Sequence, residues 1–379
     1  VNVDDFAATF SEEPGYVDFA RVGPIGRTVE EELHAQTRLL ATARFGALGT
    51  LDGEDLRVRE AVSRLTGFLP DQIVFQSNAT QGMMHSMFGL TGGVAMSPAE
   101  YPSVPFAAAR AAESLGVLTP LWLDTDHGRV TPGNLRDQLT PSVTAVAVSL
   151  VDFRTGYLAD LEGIRQVIGD RLLIVDAIQG FGVVDAPFEL ADVVVSGGQK
   201  WVRSGWGTGF LALSDRAREQ LTPVFSGYRG ADSFNDDGEW VMPLDAVLPP
   251  ARTAEAFQVT NPDPIAQARF AAALEEIATV GIEAINQRVA EKVSRVIDLA
   301  DEFAIQISSP RDESERAGIV LLDPPADQLT VLTAALFNHG VTATTRGGQV
   351  RISVHVSTVE ETFDMLRGSL VSFASAIQV

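Results

Sequence analysis

Two segments of this chain end in groups that are costly to bury alone. Leu172, Leu173, Ile174 and Val175 run into Asp176, Ala177, Ile178 and Gln179; Val194, Val195 and Ser196 run into Gly197, Gly198, Gln199, Lys200 and Trp201, so that Lys200 follows Asp176 by 24 residues. Each continuous apolar run reads as a strand covered on both faces. A carboxylate or an ammonium at the end of such a strand is expensive to desolvate unless an opposite charge meets it. One reading is an ion pair between Asp176 and Lys200 at the sheet edge.

The other reading is a bound group that answers both charges. Pyridoxal 5′-phosphate has an aldehyde that forms a Schiff base with a lysine and a pyridinium nitrogen that a carboxylate keeps protonated as an electron sink. At about 4 Å and an effective dielectric near 20, that pairing is worth about 4 kcal/mol. It corresponds to roughly three pKa units, enough to keep the nitrogen charged at neutral pH.

The segment Phe75, Gln76, Ser77, Asn78, Ala79, Thr80, Gln81, Gly82 follows an apolar run and opens a helix whose inner face includes Met83, Met87 and Leu90. Alone, Ser77 or Asn78 is a helix cap. Beside Asp176 and Lys200 the segment reads as a phosphate cradle, with amides and a helix dipole facing the anion and the Thr80 hydroxyl as a further donor.

Positioning these groups takes a sheet. Strand candidates are Ile73 to Gln76, Val94 to Ser97, Ala145 to Leu150, Leu172 to Val175, Val193 to Ser196 and Phe210 to Leu213. They alternate with helical stretches, the pattern of an α/β fold with a mostly parallel sheet. Five of the six run into polar or glycine-bearing segments, and ligands of open α/β sheets bind beyond the carboxyl ends of the strands. After a turn-rich stretch from Pro243 to Pro264 come two long helices, Ala266 to Ala278 and Glu283 to Phe303. Strands at Ile319 to Leu322, Val341 to Thr344 and Val350 to Val354 follow, with helices at Asp327 to Asn338 and Thr358 to Phe373. The expected organisation is an N-terminal segment, 1–18, packing on the small domain, a large cofactor-binding domain, 19–264, and a small α+β domain, 265–379.

The ordered set of motifs resembles the class-V aminotransferase family of fold-type I pyridoxal-phosphate enzymes, from Tyr16, Val17, Asp18, Phe19 to the final helix. The resemblance implies phosphate binding by Ala79 and Thr80, with Ser196 and Gln199 near the same group. It implies stacking of Tyr101 on the cofactor ring, contacts from Asp176 and Gln179 to the pyridine nitrogen and ring hydroxyl, and a Schiff base on Lys200. Val350, Arg351, Ile352, Ser353 resembles the motif whose arginine grips the substrate carboxylate. The segments Val151 to Gly156, Thr260, Asn261, Pro262 and Gly227, Tyr228 are similar to those of kynureninases, isopenicillin-N-epimerase-like and lyase members. Carried over, Tyr228 and Asn261 imply a homodimer with shared sites.

Composition narrows the function. A formal charge of −22, from 28 Lys plus Arg against 50 Asp plus Glu, opposes nucleic acid and anionic membrane as partners. No apolar run is long enough for a membrane helix, and the first thirty residues lack a basic, then apolar leader, so a cytoplasmic protein is expected. The five histidines show no metal-ligand spacing. There is no cysteine, which removes thiolate catalysis and the persulfide route of a conventional cysteine desulfurase. A lyase acting on an amino acid, by β-elimination at a C–S bond or by kynureninase-like cleavage, is the favoured reading. Transamination and epimerisation share its first steps, and a metabolite-binding α/β protein without catalysis is the alternative of another class.

Overall fold

A computed structural model describes residues 2–233, 241 and 245–377. Its main sheet has seven strands: β1 (Ile73–Phe75), β2 (Gly92–Met96), β3 (Leu118–Trp122), β4 (Val143–Ser149), β5 (Leu172–Asp176), β6 (Val193–Gly197) and β7 (Gly209–Leu213). Their order is β1-β7-β6-β5-β4-β2-β3, and only β7 runs against its neighbours. The carboxyl ends of β2, β4, β5 and β6 therefore face one edge, as a parallel sheet requires.

β5, β6 and β7 are buried along their whole length, which is why their sequences show no alternation. On one face, the helices Ala79–Gly89 and Ser103–Leu115 pack through Met83, Met87, Ala107, Ala108 and Ala111. The other face carries Leu173, Val175, Val194 and Phe210 in a core that also takes in the helices Leu161–Ile168 and Pro264–Val280. β3 is an expectation the sequence did not supply. It is a half-exposed edge strand with Pro120 in it, and edge strands are where proline is tolerated.

A second sheet, β8 (Ile319–Leu322), β9 (Thr344–Arg346) and β10 (Gln349–Ser353), is antiparallel with order β8-β10-β9. The expected strand Val341 to Thr344 is displaced toward Arg346. Val341 and Thr342 lie outside the ladder because the chain's beginning lies there, with Tyr16 bridged to Thr342 and Asp18 to Ser353. β9 and β10 are joined by Gly347 and Gly348, both at positive φ (61° and 87°). That is the backbone a two-residue hairpin demands, and it sets the register that puts Arg351 opposite Thr344. Pro243, the start of the expected turn-rich stretch, lies outside the described residues. The long helices are Pro264–Val280 and Ile282–Glu302, and the first also packs on Arg27–Thr42 and Glu54–Thr66.

One buried arginine fastens the chain's beginning to the loop after β6. Arg203, at φ 61°, pairs with Glu12 at 2.5 Å, donates to Ser357 Oγ at 2.7 Å and lies over the Phe10 ring at 3.6 Å. Its side chain is 1% exposed and that of Glu12 9%. Removing one member of such a pair strands the other charge in the interior. Arg203→Ala is expected to destabilise the protein by about 3–5 kcal/mol, read as a loss in denaturant unfolding. A loss below about 1 kcal/mol, the scale of a surface pair, would show that Glu12 is solvated.

Candidate active site

Asp176 ends β5, and the register sets it beside Ser149 of β4 and Val195 of β6. Lys200 stands three residues beyond β6, after Gly197 and Gly198. The glycines are needed there. A Cβ on Gly198 would lie 2.0 Å from Ser204 Oγ and 2.4 Å from Thr208 Oγ1, and one on Gly197 would meet Gln199 Oε1 at 2.5 Å. The turn is thus packed tightly enough to fix where the Lys200 amine goes.

Both charges are buried, with Asp176 2% and Lys200 7% exposed. Burial drives the Asp176 carboxyl up from its ordinary value; the Ile178 amide, donating to Oδ1 at 3.1 Å, and the positive Lys200 work against that. Lys200 is lowered to about 8, first by desolvation and further by Arg351, while Asp176 opposes the drop. The pair feel each other but make no ion pair, so the sheet-edge salt bridge read from the sequence does not form.

Above them lies a cleft of about 740 Å³ lined by Tyr101, Phe153, Gln179, Lys200, Arg346 and Arg351, among others. Lys200 Nζ is 5.3 Å from the centroid of the Tyr101 ring, which stands edge-on to Phe153 at 5.2 Å. Gln179 is held by Trp201 Nε1, which donates to its Oε1 at 2.9 Å, and by its own donation to the Ala20 carbonyl at 3.0 Å. One amide hydrogen of Gln179 is left for the cleft. Arg351 donates to the Phe153 carbonyl at 2.8 Å and approaches Asp18 at 3.5 Å, while its Nε has no partner.

Not every expected residue joins this group. Ala79 and Thr80 open the helix capped by Asn78, whose side chain accepts from Gln81 N at 2.9 Å. That helix rests on the main sheet where a Cβ on Gly82 would touch Val195 at 2.9 Å. Ser196 is fully buried and, one position along from Val195, points to the opposite face from Asp176; it does not reach the cleft. Gln199 turns its amide toward Gly197. Tyr228, half exposed, and Asn261, exposed, are absent from the cleft lining.

Three contributors were missed. Glu100, beside Tyr101, accepts from Ser149 Oγ at 2.5 Å and from its amide at 3.2 Å, and burial pushes its carboxyl up to about 7. Asp18 anchors both Arg351 and the Thr344 hydroxyl. Arg154 lines the cleft while paired to Asp152 at 2.7 Å. A plainer signal also passed unused: the chain has only two lysines, Lys200 and Lys292.

The residues fit pyridoxal 5′-phosphate. Asp176 is a dry carboxylate with one amide donor and no cation in contact, which suits a ring nitrogen that must stay protonated, and Lys200, just beyond the neighbouring strand, is a buried amine of lowered basicity that lines the cleft.

A family model described as aminotransferase class-V matches residues 55–379. The probable cysteine desulfurase of Aeropyrum pernix is 28% identical over 279 residues, 69% of this chain and 66% of that one, so the match spans just under two thirds of the relative. Among solved structures, the apo cysteine desulfurase from Thermococcus onnurineus NA1 superposes with a TM-score of 0.82 at 19% identity, covering 96% of this chain and 95% of that one. The cystine C–S lyase C-DES with its reaction product cysteine persulfide gives 0.82 at 19%, covering 96% and 97%. A lysine variant of C-DES with glycine covalently linked to its PLP cofactor gives 0.83 at 19%, covering 96% of each chain.

The lowered basicity of Lys200 has a measurable result. In cofactor-free protein, labelling of the Lys200 peptide by an amine-directed reagent should rise with pH through a midpoint of about 8. Because the Asp176 charge raises that midpoint, Asp176→Asn should move it down. Mass spectrometry of the two lysine peptides reads both; an upward shift in the variant would contradict the coupling.

Proposed function

The chain belongs to the class-V aminotransferase family, its cofactor is pyridoxal 5′-phosphate, and from that premise we propose that it is a lyase eliminating the β-substituent of an amino acid, a C–S bond being the favoured target. The supporting observation is the pairing of a buried amine and a buried carboxylate at neighbouring strand ends, Lys200 and Asp176, in 379 residues without a cysteine.

When bound, the cofactor supplies a carbonyl carbon for the substrate amine and a sink for the electron pair left at Cα. Lys200 carries the chemistry of the chain itself. An amine lowered to about 8 is still mostly protonated near physiological pH but has a far larger neutral fraction than an ordinary lysine, so it can take the Cα proton and return one to a leaving group. Asp176 would keep the ring nitrogen protonated, because burial leaves its charge unscreened. Arg351 presents a planar fork to the substrate carboxylate, and Asp18 with the Phe153 carbonyl keeps that fork turned toward the cleft. Tyr101 and Phe153 both line the cleft, edge-on to one another, and Tyr101 would stack on the cofactor ring.

The missing thiol decides between outcomes. A desulfurase that carries sulfur on its own chain needs a thiolate, and none exists here. Elimination needs only the acid and base already in the cleft. Water then completes the balance: an S-substituted cysteine gives the thiol, pyruvate and ammonia. Tyr228 and Asn261, exposed in the single chain, are proposed to complete the site of a second copy in a homodimer.

The expected result is stoichiometric pyruvate, ammonia and thiol from S-substituted L-cysteines, insensitive to thiol alkylation. Lys200→Ala is expected to lower turnover by at least about a thousandfold, the upper range of a positioned acid–base group. Catalytic alanine from L-cysteine, with no thiol acceptor added, would refute the elimination reading.

A further inference from the structure

The cleft over Lys200 continues into a second pocket of about 290 Å³ that includes His127, Arg129, Ser308 and Gln349 in its wall. Arg154, Leu321 and Gln349 belong to both, so the two spaces adjoin. The chain carries 50 acidic residues against 28 basic ones, yet neither wall holds a carboxylate. The cleft presents Arg21, Arg154, Arg346, Arg351 and Lys200. This is more positive charge than the proposed reaction uses.

Their engagements separate them. Arg351 is assigned to the substrate carboxylate, and Arg154 is neutralised by Asp152. Arg129 is different. Its guanidinium lies 5.2 Å from the centroid of the Tyr157 ring, its Nε is buried without a hydrogen-bond partner, and it joins no ion pair among the described residues. Arg346, at the exposed end of β9, likewise has no carboxylate partner there and adds to the positive potential at Arg351. Asp323 stands behind the wall, accepting from Ser308 Oγ at 2.8 Å, and Ser308 Oγ in turn accepts from Gln349 Nε2 at 3.2 Å, which leaves one amide hydrogen of Gln349 for the pocket. A guanidinium stacked on an aromatic ring, with unused donors facing a cavity, is a fork for an oxyanion.

We propose that this pocket makes the enzyme selective for amino acids whose side chain ends in an anionic group, with Arg129 as its principal partner and the α-carboxylate on Arg351. The inference rests on the reading under "Proposed function", since it places the substrate's α-carbon at Lys200. An anion in the pocket would give Arg129 the partner it lacks, whereas a neutral side chain of equal size would leave Arg129 unpaired.

The test uses two ligands that differ only in charge, S-carboxymethyl-L-cysteine and its amide S-carbamoylmethyl-L-cysteine. Cofactor-loaded protein is assayed for kcat/KM on each, and dissociation constants are measured by calorimetry on the loaded Lys200→Ala variant. The acid should be preferred by roughly tenfold or more, the scale of one charge-assisted hydrogen bond. Arg129→Gln should bring the ratio close to one, and Arg129→Lys should restore part of it. Equal values for the two ligands in unmodified protein overturn the inference, as does a preference that survives Arg129→Gln. If neither ligand binds nor turns over, the amino-acid reading fails and this inference goes with it; binding without preference sinks the inference alone.

Discussion

Everything at the cleft depends on one electrostatic constraint: a carboxylate and an amine are held at the dry ends of adjacent strands without touching. Asp176 and Lys200 are both over nine-tenths buried. Isolated charges in such a setting shift toward neutrality, and these do, the acid upward and the amine down to about 8. Direct contact would relieve the strain, but β5 and the glycine turn after β6 hold the two apart. The sheet thereby stores a demand for a group that is cationic at one end and electrophilic at the other.

The rest of the fold can be read as what keeps that demand in place. Tight packing around Gly197 and Gly198 fixes the turn. Trp201 and the Ala20 carbonyl hold Gln179, and Arg203, two residues past Trp201, ties the same loop to Glu12 and Ser357. The chain's beginning is therefore part of the site's support: Asp18 orients Arg351 from β10, and Tyr16 and Asp18 border the small sheet. Contacts between residues more than 300 positions apart hold the Arg351 side of the cleft against the chain's beginning.

What was legible in the sequence follows from burial. β5, β6 and β7 are covered on both faces, so their apolar runs announced them, and the polar residues that end β5 and follow β6 stood out against those runs. β3 did not announce itself because its exposed edge and Pro120 erase the pattern. Ser196 looked like a site residue by proximity to Lys200, but strand alternation turns it to the other face. Glu100 and Arg129 were invisible for another reason: their environment comes from β4 and from loops distant in sequence, and a single Glu or Arg carries no periodic signal. The two-lysine count was legible throughout, and it marks Lys200 more simply than any motif.

The central claim is that Lys200 is the residue that binds the cofactor covalently. Cofactor-loaded protein reduced with borohydride and digested should carry the cofactor mass on the peptide containing Lys200 and none on the peptide containing Lys292, whose amine is held by the Thr358 carbonyl. A tag on Lys292, or an untagged Lys200 in protein that shows the visible band of bound cofactor, would contradict the account.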